Sequence, residues 1–233
     1  MISIVIPARN EEQHLPRCLE AIKVASSKVK DDIEIIVVIN RCTDRTESIA
    51  KDKGCKVVKN ESKNLSQIRN TGIKSASGEI IVTIDADSWM SENLLFEVKR
   101  NLETNKYIGG GVMIYPERYS LGIICSFMAL APFVIYWGIS AGVFFGYKND
   151  IEVIGGFDEN LYSAEDVDFA RRLKKYGKTQ NKKFKNLFNA SITTSCRKFD
   201  RFGDWYALKN PIKMIKLLKG KKSDEADKIW YDF

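Results

Sequence analysis

The chain is 233 residues long, with 44% apolar, 29% charged and 11% aromatic side chains. That composition suits one well-cored domain and excludes a disordered or fibrous chain. The net charge of +7 hides an asymmetry: residues 171–222 hold 17 Lys or Arg against 2 Asp or Glu, while the remainder holds 20 basic and 28 acidic residues. A basic C-terminal quarter points to an anionic partner, whether nucleic acid, a phosphate-bearing ligand or a membrane surface, and composition does not choose among them.

In chain order, residues 2–6 (ISIVI), 33–39 (IEIIVVI), 55–58 (CKVV) and 79–84 (EIIVTI) read as strands, short apolar runs rich in β-branched residues. Between the first two, Leu15, Cys18, Leu19 and Ile22 recur at helical spacing, with Pro16 tolerated only in the first turn. Residues 43–53 predict a second helix stopped by Gly54, and residues 65–76 a third stopped by Gly78. Strands alternating with helices predict an α/β domain whose mostly parallel central sheet is flanked by helices. Ligands of such sheets sit beyond the carboxyl ends of the strands, which makes residues 7–12, 40–44 and 85–87 the positions of interest.

The second half is less regular. Residues 107–115 (YIGGGVMIY) predict a strand with a glycine-rich kink, and residues 121–147 run for 27 positions without a charge. Residues 163–176 predict a helix capped by Ser163 and stopped by Gly177, and residues 184–195 predict two short strands around Asn189. With no internal repeat, low-complexity tract or linker, one domain is expected. The cysteines Cys18, Cys42, Cys55, Cys125 and Cys196 are odd in number and form no CxxC. With an opening strand where a signal peptide would stand, they predict reduced thiols in a cytoplasmic protein. His14 is the only histidine, so no zinc site is expected.

Two pairs of acids carry candidate chemistry. Asp85 and Asp87 leave a buried strand one residue apart and can jointly hold a hard divalent cation; an Asx turn opening a helix at residues 88–92 reads equally from the spacing. Glu165 and Asp166 lie in the first turn of the 163–176 helix. There, a capping box with Ser163 and a firmly held general base look alike. Arg69 and Asn70 read either as a phosphate-binding fork or as a solvated turn. Arg171 and Arg172 do not share a helix face with Asp166, which predicts a surface role.

Taken together, these segments resemble the family-2 glycosyltransferases of the GT-A fold. IVIPARNEE (residues 4–12) resembles their opening strand and nucleotide loop, and IEIIVVINRCTDRT (33–46) their second strand and loop. SQIRNTGIKSASGEIIVTIDAD (66–87) is similar to their helix, strand and DxD, and ISAGVFFGYKNDIEVIGGFDENLYSAEDVDFARRLKKYG (139–177) to the acceptor-side strand, GGFDE turn and ED helix. The resemblance spans about residues 1–180. It implies a single GT-A domain over residues 1–197, with a nucleotide-sugar half (1–110) and an acceptor half (111–197). A basic amphipathic helical extension (198–233) would follow.

By position the resemblance assigns Pro7, Arg9, Glu11, Asn40, Arg69 and Asp85 to the nucleotide-sugar donor, and Asp87 with Asp85 to Mg²⁺ or Mn²⁺. Gly155 and Gly156 would face the acceptor, and Asp166, beside Glu165, would be the base. The implied reaction is a single inverting displacement by an acceptor hydroxyl. Two departures stand out. Relatives commonly carry VDDGSTD where this chain has INRCTD, so Asn40 replaces an acid, and residues 193–198 (TTSCRK) lack a histidine that many relatives use as a metal ligand. His14 is in the wrong place for that role, and Arg197 and Lys198 become candidates for neutralising the diphosphate.

The uncharged stretch is long enough to span a bilayer, but a span there would separate the two acidic pairs. Residues 121–137 therefore read as a very apolar helix, buried or on a membrane surface alike, and 139–147 as a core strand. In the tail, Trp205, Leu208, Ile212, Ile215 and Leu218 interleave with lysines, the pattern of an amphipathic helix on an anionic bilayer and equally of a packed C-terminal helix with a solvated lysine face. The surface reading favours peripheral association with the inner face of a membrane and a glycan or lipid-linked acceptor, in cell-envelope glycan synthesis. The rival readings are a nucleotidyltransferase of similar fold and a non-catalytic nucleotide- or nucleic-acid-binding protein. No nucleic-acid partner is expected, because that reading leaves the ordered acidic motifs unexplained.

Overall fold

The computed structural model describes residues 1–137, 142–211 and 213. The β-branched runs form β1 (Ile2–Ala8), β2 (Ile33–Ile39), β3 (Lys56–Lys59) and β4 (Ile80–Thr83), all mutually parallel in the order β3-β2-β1-β4. Their residues alternate between two cores. Ile2, Ile4, Ile6, Val37, Ile39 and Val82 enter one, while Val5, Ile36, Val38 and Ile81 enter the other. That alternation is the two-residue period of a strand buried on both faces.

Helix α1 (Leu15–Ser26) buries Leu15, Cys18, Leu19, Ile22 and Ala25 on the first core, with Pro16 in its first turn. Helix α2 (Thr46–Asp52) starts later than residue 43 because the Asp44 carboxylate holds the preceding loop. It accepts from Thr46 N (3.0 Å), Thr46 Oγ1 (2.6 Å) and Glu12 N (3.0 Å). Helix α3 (Leu65–Ser75) is capped by Asn64, whose side chain accepts from Gln67 N, and crosses the second core.

The helix expected at residues 88–92 is instead β5 (Ser88–Met90), and α4 (Leu94–Glu103) begins two turns later than that reading allowed. The reason is a distant partner: β5 pairs antiparallel with β8 (Lys183–Thr194), Ser88 opposite Thr194. The expected pair of strands around Asn189 is one strand. Its parallel ladder with β6 (Tyr107–Pro116) jumps from Leu187 to Ser191, so residues 188–190 bulge out of register. Between β4 and β6 runs β7 (Phe144–Tyr147), antiparallel to both. The eight-stranded sheet thus reads β3-β2-β1-β4-β7-β6-β8-β5. Because β6 and β8 run in the direction of β1 and β4, the carboxyl end of β8 reaches the edge where β1, β2 and β4 end.

Helix α5 (Leu121–Trp137) has the bounds read from the sequence; residues 139–141 of the expected strand, and the tail positions Ile212, Ile215 and Leu218, lie outside the described residues. The short α6 (Lys148–Val153) leads into α7 (Glu165–Thr179), which corrects the expected caps. Ala164, in the left-handed conformation (φ 57°), occupies the N-cap position expected of Ser163. Gly177 lies inside the helix, where a Cβ would come 2.8 Å from Ile108 Cγ2, so it serves packing rather than termination. The chain then forms α8 (Arg197–Phe202) and α9 (Tyr206–Lys209).

Helix α3 sits on the sheet at Gly72, where a Cβ would lie 2.3 Å from Val5 Cγ1 and 2.9 Å from Val38 Cγ2. Both contacts belong to central strands that cannot retreat. Gly72→Ala is therefore expected to destabilise by about 1–3 kcal/mol, the usual range for overpacking. Urea unfolding monitored by circular dichroism reads this as a lower midpoint with unchanged slope.

Candidate active site

At the carboxyl edge of the sheet, an open cleft is lined by Pro7, Ala8, Arg9 and Glu11 after β1, Asn40 after β2, Asp85, Ala86 and Asp87 after β4, Leu65 and Ile68 of α3, and Lys198 of α8. Every donor-side residue expected from the sequence except Arg69 lines it. Asn40 braces one wall, its amide donating to the carbonyls of Asn60 (2.6 Å) and Ser62 (2.8 Å). An aspartate at that position could not make these bonds, since an ionised carboxylate only accepts.

Arg69 turns away from the cleft. It is 2% exposed, and its guanidinium binds Asp85 Oδ1 (2.9 Å) through Nη2 and both Glu165 Oε1 (3.0 Å) and Asp166 Oδ1 (2.6 Å) through Nη1. Phe157 lies beneath it, 5.2 Å from ring centroid to guanidinium carbon, in a cluster with Phe144 and Phe169. Of the two readings open in the sequence, phosphate fork or solvated turn, the fold realises neither. One buried cation instead joins the end of β4 to the start of α7. Asp166, bonded to Arg69, does not act as the partner of a capping box.

Three carboxylates around one guanidinium leave an excess of negative charge. Burial pushes both Glu165 and Asp166 up from the ordinary carboxylate range; the Arg69 charge opposes this in each case, and the Asp166 charge adds to the rise at Glu165. Asp166 keeps 21% of its side chain exposed and Asp85 39%, while Glu165 keeps 11%. The arrangement suits a base that is held in place, open to a ligand and protonated more readily than a surface aspartate.

A second ion-pair chain crosses the cleft. Arg197 Nη2 lies 2.6 Å from Glu11 Oε1 and 3.0 Å from Asp87 Oδ2, and Ser195 Oγ approaches the same Asp87 oxygen at 3.4 Å. Burial drives the Glu11 carboxyl up to about 7 despite the Arg197 charge. His14, set aside in the sequence, comes to this cluster: its Nδ1 is 3.2 Å from Glu11 Oε2, and burial and then Arg197 lower its pKa, which favours the neutral ring. Its place at the N-terminus of α1 folds it back over the β1 loop, three residues from Glu11, a local spacing that could have signalled the contact. Among the described residues no cluster of three or more His, Cys, Asp or Glu converges as a ready-made metal cage.

The glycine pair lies apart from this cleft. Gly155 and Gly156, both with positive φ (80° and 66°), line a separate hollow with Asn70, Lys74 and Glu152. A Cβ on Gly156 would stand 2.4 Å from Asn70 Oδ1, which itself accepts from Phe157 N (2.8 Å). Arg172, expected on the surface, clamps the turn by donating to the carbonyls of Ile154 (2.6 Å) and Gly156 (2.7 Å) while pairing with Asp168 (2.6 Å). These bonds hold residues 154–157 against α7 and so fix where Glu165 and Asp166 begin.

Removing Arg69 strands three carboxylates. Arg69→Met is expected to cost about 3–5 kcal/mol at neutral pH, the usual penalty for breaking a buried ion pair. Without the cation, which opposes the rise at both, the folded-state pKa values of Glu165 and Asp166 climb further above their unfolded values. The folded form then binds protons that the unfolded form has lost, and its deficit shrinks as pH falls towards the unfolded carboxylate range. Denaturant midpoints of the two proteins that fail to converge between pH 7 and pH 5 would contradict this account.

The family model described as Glycosyl transferase family 2 matches residues 3–127, more than half of the chain. Glycosyltransferase GlyA of Streptococcus pneumoniae is 32% identical over 97 residues, covering 40% of this chain and 14% of GlyA. Glycosyltransferase AglE of Haloferax volcanii is 27% identical over 192 residues, covering 73% of this chain and 60% of AglE. The chain thus spans less than two thirds of these curated relatives. Among solved structures, residues 1–349 of S. aureus TarS in complex with UDP-GlcNAc superpose with a TM-score of 0.65 at 18% identity, covering 100% of this chain and 71% of that one. The mannosyltransferase PcManGT from Pyrobaculum calidifontis, in complex with GDP-Man and Mn²⁺, gives 0.67 at 16% identity, covering 99% and 68%. At that identity the structural likeness establishes the GT-A fold alone. With the family match over β1 to α5 and that fold throughout, the chain belongs to glycosyl transferase family 2.

Proposed function

We propose that the protein transfers a sugar from a nucleoside-diphosphate sugar to an acceptor hydroxyl with inversion at the anomeric carbon. The observation that carries this reading is Arg69, which gathers Asp85 from the donor-side cleft and Asp166 from α7 onto one guanidinium at 2.9 and 2.6 Å. A donor seated against Asp85 has its anomeric carbon within a short reach of Asp166. Asp166 takes the proton of the acceptor hydroxyl as its oxygen bonds to that carbon. The carbon–phosphate-oxygen bond breaks, and its electron pair leaves with the nucleoside diphosphate. Glu165 shares Arg69 with Asp166 and keeps the local charge negative, which favours the protonated base once it has acted.

Pro7, Arg9, Glu11 and Asn40 form the donor side of the cleft, and Gly155 and Gly156 belong to the acceptor side through the turn that precedes α7. Asp85 and Asp87 supply hard oxygens at the cleft, a donor set that fits Mg²⁺ or Mn²⁺. Such an ion would offset the charge on the leaving diphosphate. The names of GlyA and AglE as glycosyltransferases, and the nucleotide-sugars in the TarS and PcManGT structures, support the same reading. The reading divides the chain into a donor half (1–110), an acceptor half (111–197) and a C-terminal extension (198–233), and places it in the cytoplasm at the inner face of a membrane.

A lipid-linked or envelope glycan acceptor is supported by the surface formed by α5 and α9. Tyr119, Leu121 and Met128 are 65–68% exposed, and Trp205 and Leu208 are exposed beside them. Arg118 ties the start of α5 to Asp200 and Asp204, with bonds of 2.6–3.1 Å, which holds α5 against the segment carrying Trp205 and Leu208. Among the described residues no helix is long and apolar enough to cross a membrane.

The decisive measurement is release of nucleoside diphosphate from UDP-, GDP-, dTDP- and CDP-sugars with Mg²⁺ or Mn²⁺ and candidate acceptors. Asp166→Asn is expected to lower turnover by at least about a hundredfold, the lower bound of general-base contributions, while donor affinity in calorimetry stays within about threefold. Donor binding lost with turnover would move Asp166 to the donor site, and no binding of any nucleotide would sink the transferase reading. For the membrane, vesicles containing phosphatidylglycerol are expected to retain the full chain in flotation. Leu121→Glu with Met128→Glu should release it. Equal retention of both proteins would assign the patch another role.

A further inference from the structure

The cleft contains a contact that a nucleotide-sugar site with two metal-facing aspartates does not require. Arg197 reaches back from the end of β8 and puts Nη2 3.0 Å from Asp87 Oδ2, while the same nitrogen binds Glu11 Oε1 at 2.6 Å. Asp87 is only 8% exposed, and Ser195 Oγ lies 3.4 Å from its Oδ2 and Ser88 Oγ 3.5 Å from its Oδ1. The Asp87 carboxylate is therefore paired with a guanidinium at the cleft. A guanidinium does not deprotonate in a protein, so a change of pH does not remove its charge from Asp87.

We infer that Arg197 and a divalent cation contend for the same oxygen of Asp87, so that the bare cation is excluded and Arg197 passes to the donor's diphosphate when the two enter together. This inference rests on the reading of Asp87 as a metal-facing residue. Two cations against one carboxylate oxygen repel each other, so either Arg197 or the metal occupies it. A diphosphate resolves the conflict, because its oxygens are strong bidentate acceptors for a guanidinium. Glu11 keeps Arg197 at the cleft throughout the exchange: the 2.6 Å bond to Oε1 holds the guanidinium within a side-chain swing of both positions. Lys198, the next residue, lines the same cleft and presents a second cation to the phosphates. Metal and nucleotide then bind with positive coupling, and the exchange makes Arg197 a positioning residue for both.

The test uses the full chain and reads binding rather than turnover. Mn²⁺ alone is titrated with detection of free ion by electron paramagnetic resonance, and UDP and GDP are titrated in EDTA by calorimetry. Arg197→Ala is expected to bind Mn²⁺ alone about tenfold more tightly than the unaltered chain, and the preferred nucleotide in EDTA about tenfold more weakly, within the usual range of site-to-site coupling. Arg197→Lys keeps the charge and should continue to exclude the bare ion. If Arg197→Ala fails to fold, Arg197→Gln carries the same pair of opposed shifts. Loss of a merely structural contact would weaken both ligands together, and that result overturns the inference. So does unchanged Mn²⁺ affinity in Arg197→Ala, which leaves Asp87 as a metal ligand intact. A chain that binds no Mn²⁺ even beside nucleotide removes the inference and the metal reading together.

Discussion

The buried guanidinium of Arg69 is the constraint around which the rest of this molecule is arranged. It has no water to solvate it, and isolated burial of such a charge is prohibitive, so the fold must bring carboxylates to it. One comes from Asp85, where β4 ends, and two come from Glu165 and Asp166, where α7 starts, 96 and 97 residues beyond Arg69 itself. The aromatic cluster of Phe144, Phe157 and Phe169 beneath it excludes solvent from one side. Because one cation must serve three acids, burial raises the carboxyl pKa values of Glu165 and Asp166 even though their ion pairs are short. The site thereby acquires a carboxylate suited to proton transfer from the same contact that joins its two halves.

Around this centre the scaffold repeats one device, the use of a buried polar side chain to fix a backbone turn. Asn64 caps α3 and also donates to the carbonyls of Glu159 (2.9 Å) and Leu161 (3.1 Å). Asn70 brackets Phe157 on both its amide and carbonyl, and Arg172 holds the carbonyls on the other side of the same turn. The segment between α6 and α7 contains little secondary structure of its own, and these bonds supply what a strand ladder would otherwise supply. Directed hydrogen bonds to buried carbonyls are expensive to leave unmade, which is why such turns are well determined. Ala164, left-handed without being glycine, sits where these restraints converge.

The second ion-pair chain, from Glu11 through Arg197 to Asp87, joins two walls of the cleft, from which Arg69 itself turns away. Its residues come from the loop after β1, the loop after β4 and the segment after β8, so the cleft is closed by the same strand directions that open it. The edge strands matter here. Only because β8 runs parallel to β6, and β6 and β4 flank the antiparallel β7, does Thr194 finish on the edge where Thr83 finishes.

The sequence by itself determined the alternation of β1 to β4 with α1 to α3, the buried face of α1 and the edge of the sheet on which Pro7, Asn40, Asp85 and Asp87 stand. Each is written in local periodicity and in the direction of parallel strands. It also carried the order of the acidic motifs on which family membership was legible. What it left open was which side chains meet. β5 read as the start of a helix because its partner, Thr194, is 106 positions away from Ser88; Arg69 read as a fork for phosphate or a solvated turn because its three acids lie beyond any local window. Arg197 showed no motif of its own and acquires its place only when β1 and β8 end together. Only the tertiary structure decided these, since long-range electrostatic and ladder partners are set by the packing of the whole sheet and leave no trace in the spacing of neighbouring residues.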